Sequence, residues 1–312
     1  MSRATKGLGL SFLIFYCFAS AALQGAADTN STTLPARIIQ GYLMVVSVNV
    51  NDQGPFDFLV DTGTNTTLID PALAKQLAIH AKDRLQLSSL AKSTAVPRYF
   101  LQKFNVGPAS ISNLEALAVP LTQLAALDHK IRGVIGMNFL LQFSFRLDYD
   151  HRTMELYPFP EDAPVPEGLR VPVTINESRL LVTVASDAAP HGSWKLALDS
   201  GICQPLIFEQ RIEKATVAGN RLAKAGRMMQ VSTNLAEHTA YTVRLGDLSI
   251  AEMRLPQPEV VILKNDLQKP SDPQDGLLAA VAFHSVFFDR SNATLIFSLQ
   301  TETMSIATIQ KH

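Results

Sequence analysis

Cysteine is nearly absent from this 312-residue chain, which has only two. Cys17 lies in an apolar N-terminal segment, so Cys203 is the only cysteine in the remainder. A single cysteine can form neither an internal disulfide nor a multi-thiolate zinc site, and the seven histidines include no pair at metal-ligand spacing. The fold must therefore depend on a hydrophobic core, and the sequence predicts no metal and no cofactor. Cys203 is expected to be a small buried apolar residue rather than a reactive thiol.

An excess of charge of either sign is also lacking. The chain has 27 basic and 28 acidic side chains, a formal net charge of −1, and no block of like charge. This balance gives no electrostatic reason for binding to nucleic acid or to a membrane surface. Neither class of partner is therefore predicted.

Long apolar runs are missing except at the N-terminus. The run Leu8–Phe18 follows Arg3 and Lys6, precedes several small residues, and is too short to span a bilayer as a helix. These features are typical of a secretory signal peptide over residues 1–27. The sequence therefore predicts export, to the periplasm or out of the cell, with no membrane span after cleavage.

Short apolar runs separated by turn residues fill the rest of the chain, which favours a mostly β fold. A hairpin is predicted for Leu43–Val50 and Phe56–Val60, because Asn, Asp, Gly and Pro lie between them. A short helix is expected to begin at Asp70 and to end near Leu77. In the second half the same order returns, with a helix predicted over Glu209–Lys214.

Two Asp-(Thr/Ser)-Gly triplets lie at equivalent places in this order. Asp61 begins the first triplet directly after Phe56–Val60, and Asp199 begins the second directly after Trp194–Leu198 (199 − 61 = 138). A Gly-apolar-apolar stretch follows each triplet, at Gly133 and Gly276. This internal repeat predicts two similar halves.

The repeat and the composition divide the chain into segments. They are a signal peptide (1–27), a polar leader (28–39), a first lobe (40–157), a proline-rich linker (158–168), a second lobe (169–300) and a tail (301–312).

The two acids have a chemical use only as a pair. A carboxylate placed directly after a buried strand is expensive to desolvate unless something holds it there. Two carboxyls forced together cannot both ionise cheaply, so one of them keeps a proton. A water molecule between them then meets a base and an acid at once, which is what peptide hydrolysis needs. Asp61 and Asp199 are therefore the candidate catalytic residues.

The chain resembles the aspartic proteases of the pepsin and retropepsin clan. The resemblance depends on Asp-Thr-Gly-Thr at residues 61–64 after a hairpin, and on Val-Ile-Gly at residues 134–136. It covers about residues 40–300 in two copies, and Gly133–Leu140 is typical of bacterial retropepsin-like repeats. It implies two pseudo-symmetric acid-protease-like β lobes about a cleft. It also implies an extended peptide or protein substrate and one catalytic Asp from each lobe.

The resemblance also implies roles for the residues beside the two acids. Thr62 and Ser200 would join the lobes through their hydroxyls, while Gly63 and Gly201 would allow tight turns that expose the carboxylates. Thr64 could donate a hydrogen bond to its own carboxylate. Because both acids belong to one chain, a monomer is expected.

The second lobe departs from the pattern of the resemblance at two positions. Ala279 stands where a glycine is expected, and Ile202 stands where the first lobe has Thr64. Neither lobe shows a glycine-tipped flap; a hairpin around residues 93–104 is the candidate, with Tyr99 as its tyrosine. Two alternatives to a single-chain peptidase therefore remain open. One is an inactive protease-like scaffold that binds extended peptides, and the other is a dimeric protease that uses only Asp61.

Overall fold

The computed structural model describes residues 32–88, 93–158, 164–212, 227–232, 237–264 and 274–298. The predicted signal peptide, residues 28–31 of the predicted leader, residues 159–163 of the predicted linker and the predicted tail lie outside this part of the chain. No helix in the described ranges is long and apolar enough to cross a membrane.

Strands dominate both halves of the described chain, as the alternation of short apolar runs and turns predicts. The strands of the first half are β1 (Thr32–Pro35), β2 (Arg37–Ile39), β3 (Leu43–Val50), β4 (Gln53–Val60), β5 (Thr67–Ile69), β6 (Asp83–Ser88), β7 (Ser93–Val106), β8 (Ala109–Ala118), β9 (Ile131–Ile135), β10 (Phe143–Asp148) and β11 (Thr153–Pro158). Its helices are α1 (Pro71–Gln76), α2 (Thr122–Leu127) and α3 (Met137–Leu140).

The second half has the same kind of content. Its strands are β12 (Leu169–Pro172), β13 (Thr174–Asn176), β14 (Arg179–Ala185), β15 (Ser193–Asp199), β16 (Leu206–Phe208), β17 (Arg227–Ser232), β18 (Glu237–Arg244), β19 (Leu248–Ile250), β20 (Met253–Leu255), β21 (Glu259–Leu263), β22 (Gly276–Ala279), β23 (Ser285–Asp289) and β24 (Thr294–Ser298). Two single 3₁₀ turns, Glu209–Arg211 and Ala280–Ala282, complete it. The mostly β, two-lobed prediction is confirmed.

Three sheets organise these strands. The first-lobe sheet has the order β2-β3-β4-β9-β5-β8-β7-β6, and the second-lobe sheet has the order β17-β18-β21-β16-β22-β15-β14-β19-β20, with β13 paired to β14. The third sheet, β1-β11-β10-β23-β24-β12, takes strands from both halves. Its central contact is the antiparallel pair β10–β23, from Phe145 opposite Phe288 to Asp148 opposite Ser285. One continuous buried cluster runs through both halves, and each lobe adds a smaller cluster of its own.

The polar leader contains strands where a loose segment is predicted. From Thr32 to Pro35 the chain pairs with β11, and Arg37–Ile39 pairs with β3. Polarity is a poor guide here, because threonine is a good strand residue and an edge strand needs only one buried face. Residues 32–35 and 37–39 of the polar leader are therefore strands of the sheets.

Two predicted elements of the lobes also differ from the structure. The helix predicted over Glu209–Lys214 is a single 3₁₀ turn ending at Arg211, because Ile212 takes an extended conformation and buries its side chain. Lys214 lies outside the described residues. The predicted helix from Asp70 is confirmed as α1, with the Asp70 carboxylate accepting a hydrogen bond from the Ala72 N–H.

In each lobe one strand lies between the strand that leads into the triplet and the strand that follows it, and it pairs in parallel with the first of these two. In the first lobe β9 pairs in parallel with β4, which puts Gly133 opposite Phe58. A Cβ atom at Gly133 would be 2.1 Å from the Phe58 ring, and one at Gly276 would be 2.1 Å from the Leu206 carbonyl oxygen. Both glycines are therefore required by close packing behind the triplets, and both positions were found by the repeat.

We expect Gly133→Ala to destabilise the protein by about 1–3 kcal/mol, because the added methyl overpacks a core with no room for it. Urea unfolding of the variant measures this change. Gly246→Ala is the matched control, since a Cβ atom there meets nothing within 4 Å. Equal stability of the two variants would contradict the packing argument.

Candidate active site

The two triplets meet at the junction of the lobes. Asp61 follows β4 directly, and Asp199 is the last residue of β15. A Cβ atom at Gly63 would be 2.4 Å from Oδ2 of Asp199, and one at Gly201 would be 3.2 Å from Oδ1 of Asp61. Each glycine thus lies against the carboxyl group of the opposite lobe. The structure brings the two predicted acids together.

Four hydrogen bonds connect the two triplet loops. The Thr62 N–H donates to Ser200 Oγ and the Ser200 N–H donates to Thr62 Oγ1, each at 3.0 Å. The hydroxyls donate onward, Thr62 to the Leu198 carbonyl at 3.0 Å and Ser200 to the Val60 carbonyl at 2.9 Å. Both side chains are buried. This reciprocal arrangement holds the lobes in the register that pairs the carboxyls.

The two carboxyls have unequal hydrogen-bond partners. Asp61 accepts from the Gly63 N–H at 2.8 Å and from the Thr64 hydroxyl at 2.7 Å. Asp199 accepts from the Gly201 N–H at 2.7 Å. Ile202, at the position of Thr64, packs against the second-lobe core instead. Hydrogen bonds to an ionised carboxylate stabilise it, so the local geometry favours negative charge on Asp61.

The Ala279 departure has a steric explanation. Gly136 in the first lobe has no room for a Cβ atom, which would be 2.5 Å from the Thr66 carbonyl carbon. The Met137 N–H donates to the Thr64 carbonyl at 2.8 Å, so α3 packs tightly on the first loop. In the second lobe Ala279 lies opposite Asp199 in the parallel pair β15–β22 and is fully buried. The methyl group is therefore accommodated beneath the second loop.

Burial raises the pKa of both acids. For Asp61, the hydrogen bonds from Thr64 and Gly63 oppose the effect of burial on the pKa. For Asp199, burial and the negative charge of Asp61 together raise the pKa to about 8. Asp199 therefore favours its protonated form beside the negative charge of Asp61.

Three further side chains surround the pair, and sequence reasoning identified none of them. The positive charge of Arg179, the first residue of β14, lowers the pKa of both acids. Burial raises the pKa of Tyr42 in the first lobe, and the charges of Cys203 and Asp199 add to that rise. Burial also raises the pKa of Tyr149, with contributions from both acids. The Tyr149 hydroxyl is buried without a hydrogen-bond partner among the described residues.

Two sequence predictions near the site need correction. Cys203 is exposed, because the loop after Gly201 turns its side chain outward while Ile202 packs inward. Residues 93–104 are no hairpin; they belong to the single strand β7, which pairs with β6 and β8. The hairpin is β6–β7, and residues 89–92 between these strands lie outside the described part. Tyr99 lies opposite Ala116, beyond the last β6–β7 pair, and packs on the core.

We expect Ser200→Ala to lower the free energy of unfolding by about 2 kcal/mol or more. The change removes one hydrogen bond to Val60 and leaves the buried Thr62 N–H without its acceptor. Ser200→Thr keeps the hydroxyl, as Thr62 does in the first lobe, and should recover most of the loss. Ser47→Ala, on an exposed strand position, serves as the control in urea unfolding. A Ser200→Ala variant as stable as wild type would rule out a stabilising role for this connection.

We expect Asp199→Asn to stabilise the protein increasingly as the pH rises from about 4 to about 8. The folded pKa of Asp199 lies above the ordinary value near 3.9. Between these two pKa values Asp199 ionises in the unfolded chain but stays protonated in the folded protein, so a rise in pH favours unfolding of the wild type. Its contribution to stability is complete below pH 4 and is lost as the pH approaches 8. The difference between variant and wild type should grow with a limiting slope of about 1.4 kcal/mol per pH unit.

Urea unfolding at a series of pH values measures this difference. Asp187→Asn, at an exposed position, controls for the loss of an ordinary carboxyl. Parallel pH dependences for wild type and Asp199→Asn would mean that Asp199 ionises as readily in the folded protein as in the unfolded chain.

Comparison with known proteins agrees with this geometry. Residues 46–139 match a family model described as aspartyl protease. No curated protein matches the chain. An aspartic proteinase from Irpex lacteus has a similar structure, at 12% identity and a TM-score of 0.50, covering 88% of this chain and 99% of that one. A retropepsin-like aspartic protease from Rickettsia conorii matches at 21% identity and a TM-score of 0.31, over 41% of this chain and 90% of that one. The first lobe thus matches the aspartyl protease family, and the two-lobed fold of the chain is similar to that of an aspartic proteinase.

Proposed function

We propose that this protein is an exported aspartic endopeptidase that activates a water molecule between Asp61 and Asp199. The observation that carries the proposal is that each carboxyl lies against the glycine of the opposite triplet loop, and that Asp61 and Asp199 have unequal hydrogen-bond donors. A pair that holds one proton has a base and an acid side by side, which is the requirement for direct water attack on a peptide carbonyl.

Asp61 is the base in this proposal. Its carboxylate keeps two hydrogen-bond donors of its own loop, so it is ionised while Asp199 is protonated. Asp61 removes a proton from the water molecule as the water oxygen attacks the carbonyl carbon. Asp199 donates its proton to the carbonyl oxygen, and a neutral tetrahedral diol forms.

Collapse of the diol reverses the roles of the two acids. Asp61, now protonated, gives its proton to the departing amide nitrogen. Asp199 takes a proton back from a diol hydroxyl as the C–N bond breaks and the new carboxyl group forms. The pair then holds one proton again and the cycle is complete, with no covalent intermediate.

The substrate class follows from the position of the pair. The carboxyls lie at the ends of β-strands where two lobes meet, and a peptide running between the lobes would be extended. One chain supplies both carboxyls, so a monomer suffices for this chemistry. Export is proposed from the basic and apolar features of residues 1–27.

The alternatives make different demands on Asp199. A peptide-binding scaffold without activity needs neither acid, and the missing hydroxyl at Ile202 is the observation that favours it. A dimer that uses only Asp61 would leave Asp199 dispensable.

The test is cleavage of a diverse peptide library by the mature chain, beginning near residue 28, across pH 3–8 with and without pepstatin. Activity should be bell-shaped in pH, because it requires one ionised and one protonated carboxyl. Asp61→Asn and Asp199→Asn should each lower kcat/KM by at least about 100-fold, the usual contribution of a general acid or base. Asp187→Asn should leave it unchanged.

The pattern of losses separates the three functions. Retained activity in Asp199→Asn, together with a specific activity that rises with protein concentration, would identify the dimer. A folded wild-type protein that cleaves nothing at any pH, yet still binds extended peptides, would identify the scaffold.

A further inference from the structure

The two lobes place different residues beside their acids. In the β3–β4 pair the register runs to Val45 opposite Leu59, and two positions beyond lie Leu43 and Asp61. In the β14–β15 pair the register runs to Leu181 opposite Ala197, and two positions beyond lie Arg179 and Asp199. Residues two apart on a strand share a face, so Leu43 and Arg179 hold equivalent places beside the two acids. A buried leucine in one lobe is thus an arginine in the other.

This arginine accompanies the departure already noted in the second loop. Asp61 has the Thr64 hydroxyl and a leucine beside it, whereas Asp199 has Ile202 and an arginine beside it. The lobe that lacks a hydroxyl donor is therefore the lobe that has a cation. The charge of Arg179 acts on both acids of the pair.

We propose that Arg179 is a positioning residue for the carboxyl pair. From the second lobe it stabilises the negative charge of the pair, as the Thr64 hydroxyl does from the first lobe. A nearby positive charge favours the ionised carboxyl. Arg179 thus offsets part of the cost of burying the pair. It extends toward lower pH the range in which one of the two acids is ionised. The proposal rests on the proposed function of Asp61 and Asp199.

Few other charged residues lie on the described strands next to this part of β14. On β15 the exposed Lys195 lies opposite Thr183, four residues further along the ladder than Asp199. The exposed Glu177 is in the turn between β13 and β14, and neither β13 nor β19 carries a charged residue.

Tyr42 and Tyr149 also interact electrostatically with the pair, and Cys203 interacts with Tyr42. All three are neutral when protonated and become negative on ionisation, so none can replace a cation. Arg179 therefore has no substitute among the groups named here.

The test is titration of the carboxyl ¹³C signals of aspartate-labelled protein without substrate, with Asp61→Asn and Asp199→Asn to assign the pair. In Arg179→Gln the titration of the pair should move upward by about one pH unit. Arg179→Lys should stay near wild type, which also shows that the position tolerates change. Arg170→Gln removes an equal charge from an exposed position and should move nothing.

A second variant tests the equivalence to Thr64. Adding Ile202→Thr to Arg179→Gln supplies a hydroxyl at the matching position and should return the titration part of the way. No return would overturn the equivalence. A titration in Arg179→Gln identical to wild type, or an equal shift in Arg170→Gln, would overturn the role of Arg179.

The titration needs no peptidase activity, so its result is independent of the proposed function. Where cleavage is measured, the acidic limb of the kcat/KM profile should move upward with the titration in Arg179→Gln. A fall in kcat/KM with an unmoved profile would indicate a merely structural residue.

Discussion

The reciprocal hydrogen bonds between Thr62 and Ser200 are the contact on which the site depends. Two acids of like charge repel when ionised, and burial alone would separate them or leave both protonated. The hydroxyl connection fixes the loops from the side, while the β10–β23 pair fixes the lobes through a shared sheet. The free-energy cost of holding the two carboxyls close together is thus offset by the other contacts of the lobe junction, which keep the two loops in place.

Sequence reasoning found the parts of this arrangement that depend on local pattern. Strand alternation, turn residues and the repeated triplets predict both hairpins, the helix at Asp70 and the pairing of Asp61 with Asp199. The misplaced features depend on distant partners. Thr32–Pro35 becomes a strand only because β11 offers an edge, and residues 93–104 form one strand because β6 and β8 flank them. Exposure of Cys203 likewise depends on which neighbour of the loop turns inward.

The place of Arg179 beside the acids could not be predicted from the repeated motifs. It stands 20 residues before its acid (199 − 179), whereas Leu43 stands 18 before Asp61 (61 − 43), so aligning the repeats by distance misses the correspondence. The two hairpins turn over different lengths, and only the strand register equates the positions. The triplets alone suggest a nearly symmetric pair, while the paired strands make it asymmetric.

This asymmetry bears on whether the second lobe has lost its catalytic role. A general acid must keep its proton near the working pH, and the absence of a hydroxyl donor beside Asp199 favours the protonated form. Ile202 is thus compatible with the acid's role, and Ala279 is explained by available space. A lobe with no catalytic task would gain stability at neutral pH from Asn at residue 199, which needs no held proton. Retention of a buried acid there, hydrogen-bonded by Gly201, is accounted for by chemistry that uses its proton.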